Sequence, residues 1–263
     1  MSSIIVKLKQ KRISELIATG KRLDSRGLKD YREVKVEQGV IERAEGSARV
    51  LLGKTEVMVG IKLEIGKPFP DTPNEGVLTV NAELVPLASP TFEPGPPGQT
   101  SIELARVVDR GIRESKAIDL AKLCITPGKD VFVVFVDVYV LNHDGNLIDA
   151  SALAAIAALL NTKMFKYEMK DNVVQIKPGY TPLPVKRHPI AVTFAQINNE
   201  LVVDPQLKEE QTMDARLTIT IDDDENICAI QKGGSGYFKL EQTLEAAKIA
   251  MEKAEQIRKE LKW

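Results

Sequence analysis

Three arginines, Arg106, Arg110 and Arg113, recur at i, i+4 and i+7 in the segment ELARVVDRGIRES. At 100° per residue they fall within a sector of roughly 60° on a helix, so their guanidinium groups project together. Such a row suits phosphate contacts along a single nucleic-acid strand, because each guanidinium offers a rigid fork of donors. Glu103, Asp109 and Glu114 lie within helical reach and could neutralise the row as ordinary surface pairs. The residues alone favour that neutral reading.

Other chemistry-bearing residues are less suggestive. Gly233-Gly234-Ser235-Gly236 has no following Lys-Ser/Thr, so a flexible strand-to-helix turn explains it better than a phosphate loop. Cys124 and Cys228 have neither CxxC spacing nor a nearby His pair, which predicts buried free thiols and no metal. His143 and His188 are too isolated for a catalytic pair or a metal site. No cofactor-binding motif is present.

The elements that would position these groups alternate in period. Apolar residues from Val6 to Thr19 have helical spacing, with Gly20 as the stop. From Val34 the period becomes two, through VKVEQGVIERA, SARVLL, a Gly53-Lys54 turn and TEVMVGIKLEI. A strand VLTVNAELVPL precedes the Pro- and Gly-rich SPTFEPGPPGQ, after which Thr100 and Glu103 read as the capping box of the arginine-bearing helix. DVFVVFVDVYVL reads as a long covered strand, HDGN as a turn, and Asp149 as the cap of a nearly all-apolar helix ASALAAIAALLN. KPGYTPLPVKRHP is the best linker, which places domains at residues 1–185 and 186–263. Strands and a final helix from Leu240 to Leu261 follow.

Composition fits that outline. The chain of 263 residues is 43% hydrophobic but only 5% aromatic, so its core must be built from Val, Ile, Leu and Ala, as in α/β proteins. Lys and Arg total 36 against 37 Asp and Glu, a net charge of -1. A dedicated nucleic-acid binder is usually basic, so any such site must be a local patch or shared with another chain. The start, MSSIIVKLKQKRISEL, has no signal-peptide pattern, and no apolar run is long enough for a membrane. The expectation is a soluble cytoplasmic protein without membrane contact.

Four segments in order, RLDSRGLKDYRE, GSARVLLGKTEVMVGI, ELARVVDRGIRES and DVYVLNHDGNLIDASALAA, together resemble the RNase PH family. The PDTPNEG and TFEPGPP segments look most like the non-catalytic RNase PH-type subunit of the archaeal exosome. The resemblance implies a two-domain α/β (α+β) fold of mixed sheets with packed helices, the first domain similar to the second domain of a small-subunit ribosomal protein. It also implies a hetero-hexameric ring, a trimer of heterodimers with a catalytic paralogue. RNA-binding cap subunits would join that ring, and single-stranded RNA would be degraded from its 3′ end by phosphate.

In active members the turn after the long strand reads DGGTR or DGSR, a phosphate cradle of small residues, hydroxyl and arginine. Here it reads Asp144-Gly145-Asn146-Leu147-Ile148-Asp149, so apolar groups stand at the hydroxyl and arginine positions. The loop from Ser89 to Ser101 lacks the arginines of active relatives, and Glu210 replaces the second family aspartate beside Asp204. The resemblance therefore implies no catalytic residues, with Asp204 and Glu210 read as strand-end and turn residues and Arg22 and Arg26 as structural anchors or interface-pairing residues. It assigns RNA contact to Arg106 and Arg110, and less strongly to Arg113. Two alternatives remain open: a self-sufficient phosphorolytic 3′-to-5′ exoribonuclease, and a small-molecule phosphotransferase, for which no nucleotide loop is found.

Overall fold

The computed structural model of the chain describes residues 3–170 and 173–263. Helix α1 (Ser3–Ala18) ends at Gly20, whose φ of +74° suits glycine, and docks through buried Ile13 and Ile17. The first sheet orders its strands β1 (Val34–Gln38), β2 (Gly46–Leu52), β3 (Thr55–Gly66), β6 (Asp130–Asn142) and β4 (Val77–Leu84). The short β5 (Cys124–Thr126) pairs with β6. All pairings are antiparallel except β4 with β6. Alternation along β3 and β6 puts Val57, Val59 and Ile61 beside Val136, Val138 and Val140 on the inner face.

Helix α2 (Gln99–Glu114) lies along the outer edge of β4. Ser101 Oγ donates to the Ala82 carbonyl and Arg113 Nη2 to that of Leu78. These bonds occupy acceptors that an edge strand would otherwise expose. The expected capping box is not formed. The N-cap lies two residues earlier, at Gly98 without a side-chain bond, and Glu103 instead pairs with Arg216.

Helix α3 (Leu147–Leu160) packs on β2 and β3 on one side and on β9 (Ile190–Ile197) on the other. Its alanines are buried on nearly every side, as an apolar helix requires. Small residues permit close approach: a Cβ at Gly46 would fall 2.2 Å from Thr162 Oγ1. The second sheet runs β10 (Glu200–Val203), β9, β11 (Ala215–Ile221) and β12 (Ile227–Gly233), all antiparallel. Every residue of β9 is buried because both its faces are covered. Thr193 reaches α3, and Ala195 and Ile197 meet α1, whereas Gln196 bonds Gln242 of α5 (Leu240–Leu261).

The expected linker is partly a strand. Lys177 to Pro182 belong to β8 (Val173–Pro182), which pairs with β7 (Lys163–Lys170). Pro178 and Gly179 fall in an irregularity between the Lys166–Lys177 and Phe165–Tyr180 pairs, where prolines are tolerated. Among the described residues no helix is long and apolar enough to cross a membrane.

Ile156 is fully buried in α3, which packs between the two sheets. Ile156→Ala is expected to cost about 2–5 kcal/mol, read as a lowered urea midpoint with unchanged slope.

Candidate nucleic-acid interface

Leu104, Val107, Val108, Gly111 and Ile112 form the buried stripe of α2, which turns Arg106, Arg110 and Arg113 outward. The three acidic neighbours share out unequally. Asp109 holds Arg113 through bonds of 3.1 Å and 2.6 Å, and this carboxylate raises the guanidinium pKa further. Glu103 is drawn away to Arg216, and Glu114 makes no pair with the row among the described residues. Arg110 Nη1 donates to Gln231 Oε1 of β12 at 3.1 Å, and Arg106 is exposed without a partner among the described residues. Two guanidinium groups thus remain available on a rigid element, and the third is occupied.

Below this helix lies the turn that carries the altered phosphate motif. Gly145 has φ +85°, and a Cβ there would fall 2.3 Å from Leu207 N of α4 (Leu207–Glu210). Asn146 adopts the left-handed conformation and is the N-cap of α3, accepting from Asp149 N, so the cap expected at Asp149 lies three residues earlier. An asparagine side chain bonds its own backbone readily in that conformation. Leu147 and Ile148 are buried and line a cavity of about 90 Å³ with Phe92, His143, Thr193, Glu210 and Arg216. His143 stacks on Phe92 at 5.3 Å and accepts from Gly145 N. The Asn146 N–H, a group that could meet an anion at a helix start, donates to Glu210 Oε1 at 2.8 Å. An internal carboxyl already fills that place.

The carboxylates around the turn are structural centres. Asp204 follows β10 with φ +48° and is fully buried. It accepts from Arg26 Nη1 (2.9 Å), Arg32 N, Nε and Nη2 (2.9, 2.9 and 2.7 Å) and Asn146 Nδ2 (2.8 Å). Burial works to raise its pKa, but Arg32, Arg26 and Asn146 outweigh this and hold the carboxyl below its usual range. Arg32 also donates to the Asp144 and Gly145 carbonyls, and Gly53 (φ +58°) leaves space for its stem, 2.6 Å from where a Cβ would be. Arg22 clamps Glu209 at 2.9 Å and 2.6 Å and caps the Val203 and Asp204 carbonyls. The anchoring expected of Arg22 and Arg26 is the geometry found. Arg32 escapes the sequence reading, since no local spacing distinguishes it.

Asp149 accepts from Tyr31 Oη, Asn146 Nδ2, Thr193 N and Thr193 Oγ1, yet burial pushes its pKa up to about 6. Burial likewise pushes Glu210 up to about 7 against the pull of Asn146 N–H and Arg216. Among the described residues no group of three or more His, Cys, Asp or Glu is arranged to hold a metal ion. Cys124 and Cys228 are half-buried rather than buried as expected, and burial with Asp222 raises the Cys228 thiol to about 11, which disfavours the reactive thiolate.

Because Glu210 binds a proton more tightly in the folded chain than in the unfolded one, its contribution favours folding below about pH 4.5. That contribution is lost as pH climbs toward 7. Glu210→Gln keeps the oxygen that accepts from Asn146 and removes the titration. The melting temperature of the variant relative to the parent is expected to rise between pH 5 and pH 8. A constant difference across that range would contradict the assignment.

Comparison with known proteins agrees with this architecture. Residues 30–164 match the model for domain 1 of the 3′ exoribonuclease family (RNase PH), and residues 188–253 match that for domain 2. The exosome complex component Rrp42 of Pyrococcus horikoshii is 58% identical over 98% of this chain and 95% of that protein. Its counterpart in Methanothermobacter thermautotrophicus is 49% identical over 97% and 94%. A chain of the Archaeoglobus fulgidus exosome with RNA bound to the active site superposes with a TM-score of 0.90 at 47% identity, covering 98% of this chain and all of that one. A chain of an archaeal exosome core gives 0.87 at 43%, covering 99% and 98%. The protein belongs to the RNase PH family of 3′ exoribonucleases.

Proposed function

We propose that this chain is a non-catalytic, RNA-positioning component of an exosome core ring, acting in 3′-to-5′ RNA degradation beside a catalytic RNase PH-type paralogue. The carrying observation is the closed turn: Glu210 takes the Asn146 N–H, while Leu147 and Ile148 are buried where active relatives place a hydroxyl and an arginine. A phosphate entering there would displace a carboxyl and meet two apolar groups, which cannot replace its ligands. The same observation argues against a self-sufficient phosphorolytic exoribonuclease.

Arg106 and Arg110 are the RNA contacts, with Arg113 contributing less because Asp109 holds it. Contacts of this type position a strand without reading its sequence. Residues 1–185 and 186–263 form the two family domains. The partners are the paralogue in a trimer of heterodimers, RNA-binding caps and single-stranded RNA. The work is cytoplasmic and requires no cofactor in this chain.

The purified chain with single-stranded RNA and inorganic phosphate is expected to release no nucleoside diphosphate, and to co-purify with the paralogue into an active complex. Release of diphosphates by the chain alone would overturn the assignment. Arg106→Glu with Arg110→Glu in the assembled complex is expected to lower RNA affinity about tenfold or more at low salt. Filter binding across a salt titration reads this, and unchanged affinity removes the RNA role of α2.

A further inference from the structure

The charge of the chain is unevenly placed. Residues 1–22 carry six Lys and Arg against the single Glu15, whereas the remaining 241 residues carry 30 against 36 acidic ones. Within α2 the three arginines and the three acidic residues Glu103, Asp109 and Glu114 cancel in formal charge, so the basic excess lies at the N-terminal end of the sequence, in α1 and just beyond it. An asymmetry of this kind is a mark of polyanion contact.

The structure shows how that excess is presented. Helix α1 docks on β9 and β10 through Ile13 and Ile17, and Gln10 Nε2 donates to the Gln211 carbonyl at 2.6 Å. At 100° per residue, Lys7, Lys11 and Arg12 span roughly 140° on the side away from those anchors, and all three are exposed. Their one ion pair among the described residues is Lys11 with Glu15 at 3.9 Å, between side chains that are 73% and 66% exposed, which is worth little in water. Lys21 after the helix and Lys208 on the neighbouring α4 are exposed as well. Asp214 lines a shallow groove together with Lys11. Among the described side chains of this face, Leu8 is the exposed apolar residue between the cations. Protein interfaces are depleted of lysine and need a buried apolar centre, so this surface fits phosphates better than a protein partner.

We propose that the exposed face of α1, through Lys7, Lys11 and Arg12, is a second contact for single-stranded RNA, separate from the arginines of α2. This rests on the proposed role of the chain in RNA degradation, but it uses different residues. RNA would then be held at two places on one subunit, the strand between them being free to move because neither contact reads bases.

The test uses the complex assembled with the catalytic paralogue and a fluorescent single-stranded oligoribonucleotide, with affinity measured by anisotropy across a salt titration. The variant Lys7→Gln, Lys11→Gln, Arg12→Gln keeps helix-forming side chains and removes three charges. Its slope of log K against log salt is expected to be shallower by about 2, at ~0.7 for each phosphate no longer neutralised, with affinity at low salt reduced at least tenfold. An unchanged slope with an intact ring overturns the proposal. Failure of this variant to co-assemble also overturns it, because the face then belongs to a subunit interface. The Arg106→Glu, Arg110→Glu complex is measured in parallel, so that failure of either RNA contact is seen apart from the other.

Discussion

The carboxylate of Asp204 holds the two halves of this molecule in register. It is fully buried in a left-handed backbone conformation, and five donors from Arg26, Arg32 and Asn146 converge on it. Through Arg32 it fixes the Asp144 and Gly145 carbonyls, and through Asn146 it fixes the start of α3. A buried charge without such partners is costly, and removing one partner of a buried pair costs about 3–5 kcal/mol. The strain of its backbone, on the order of 1–3 kcal/mol, persists because surrounding bonds over-determine the geometry. Arg22 adds a second clamp one residue away, on Glu209 and the Val203 and Asp204 carbonyls.

This clamp explains why the turn after β6 is closed. The glycine at 145 packs so tightly on residues 205–207 that no side chain fits, and Glu210, brought up by the same segment, takes the Asn146 N–H. Groups that could cradle an anion have been turned inward to join two domains. Leu147 and Ile148 are buried beside these groups and add two apolar side chains to the same turn. The outward face of α2 is untouched by this closure, so the proposed RNA contacts of Arg106 and Arg110 do not depend on the turn.

Much of this was legible in local pattern. The alternation of β3 and β6, the apolar helix α3 and the span of α5 follow directly from spacing, and the helical sector of Arg106, Arg110 and Arg113 needs only the helix period. What was not legible depends on partners distant in sequence. Arg32 looks like any surface arginine until Asp204, 172 residues away, is placed beside it. Glu103 has the spacing of a capping residue, but Arg216 competes for it with a full charge. The β7–β8 hairpin was hidden because Pro178 and Gly179 carry turn character that a strand irregularity absorbs. Asn146 displaced Asp149 as the cap because burial sends the aspartate to Thr193 and Tyr31.

With the Glu210 carboxyl on the Asn146 N–H and Leu147 and Ile148 buried beside it, the turn has no room for a phosphate. Titration of the purified chain with inorganic phosphate, followed at the backbone amides of Asn146 and Leu147 by NMR, decides this. No saturable shift is expected at these amides at millimolar phosphate. A saturable shift centred on Asn146, displaced by competing anions, would contradict it.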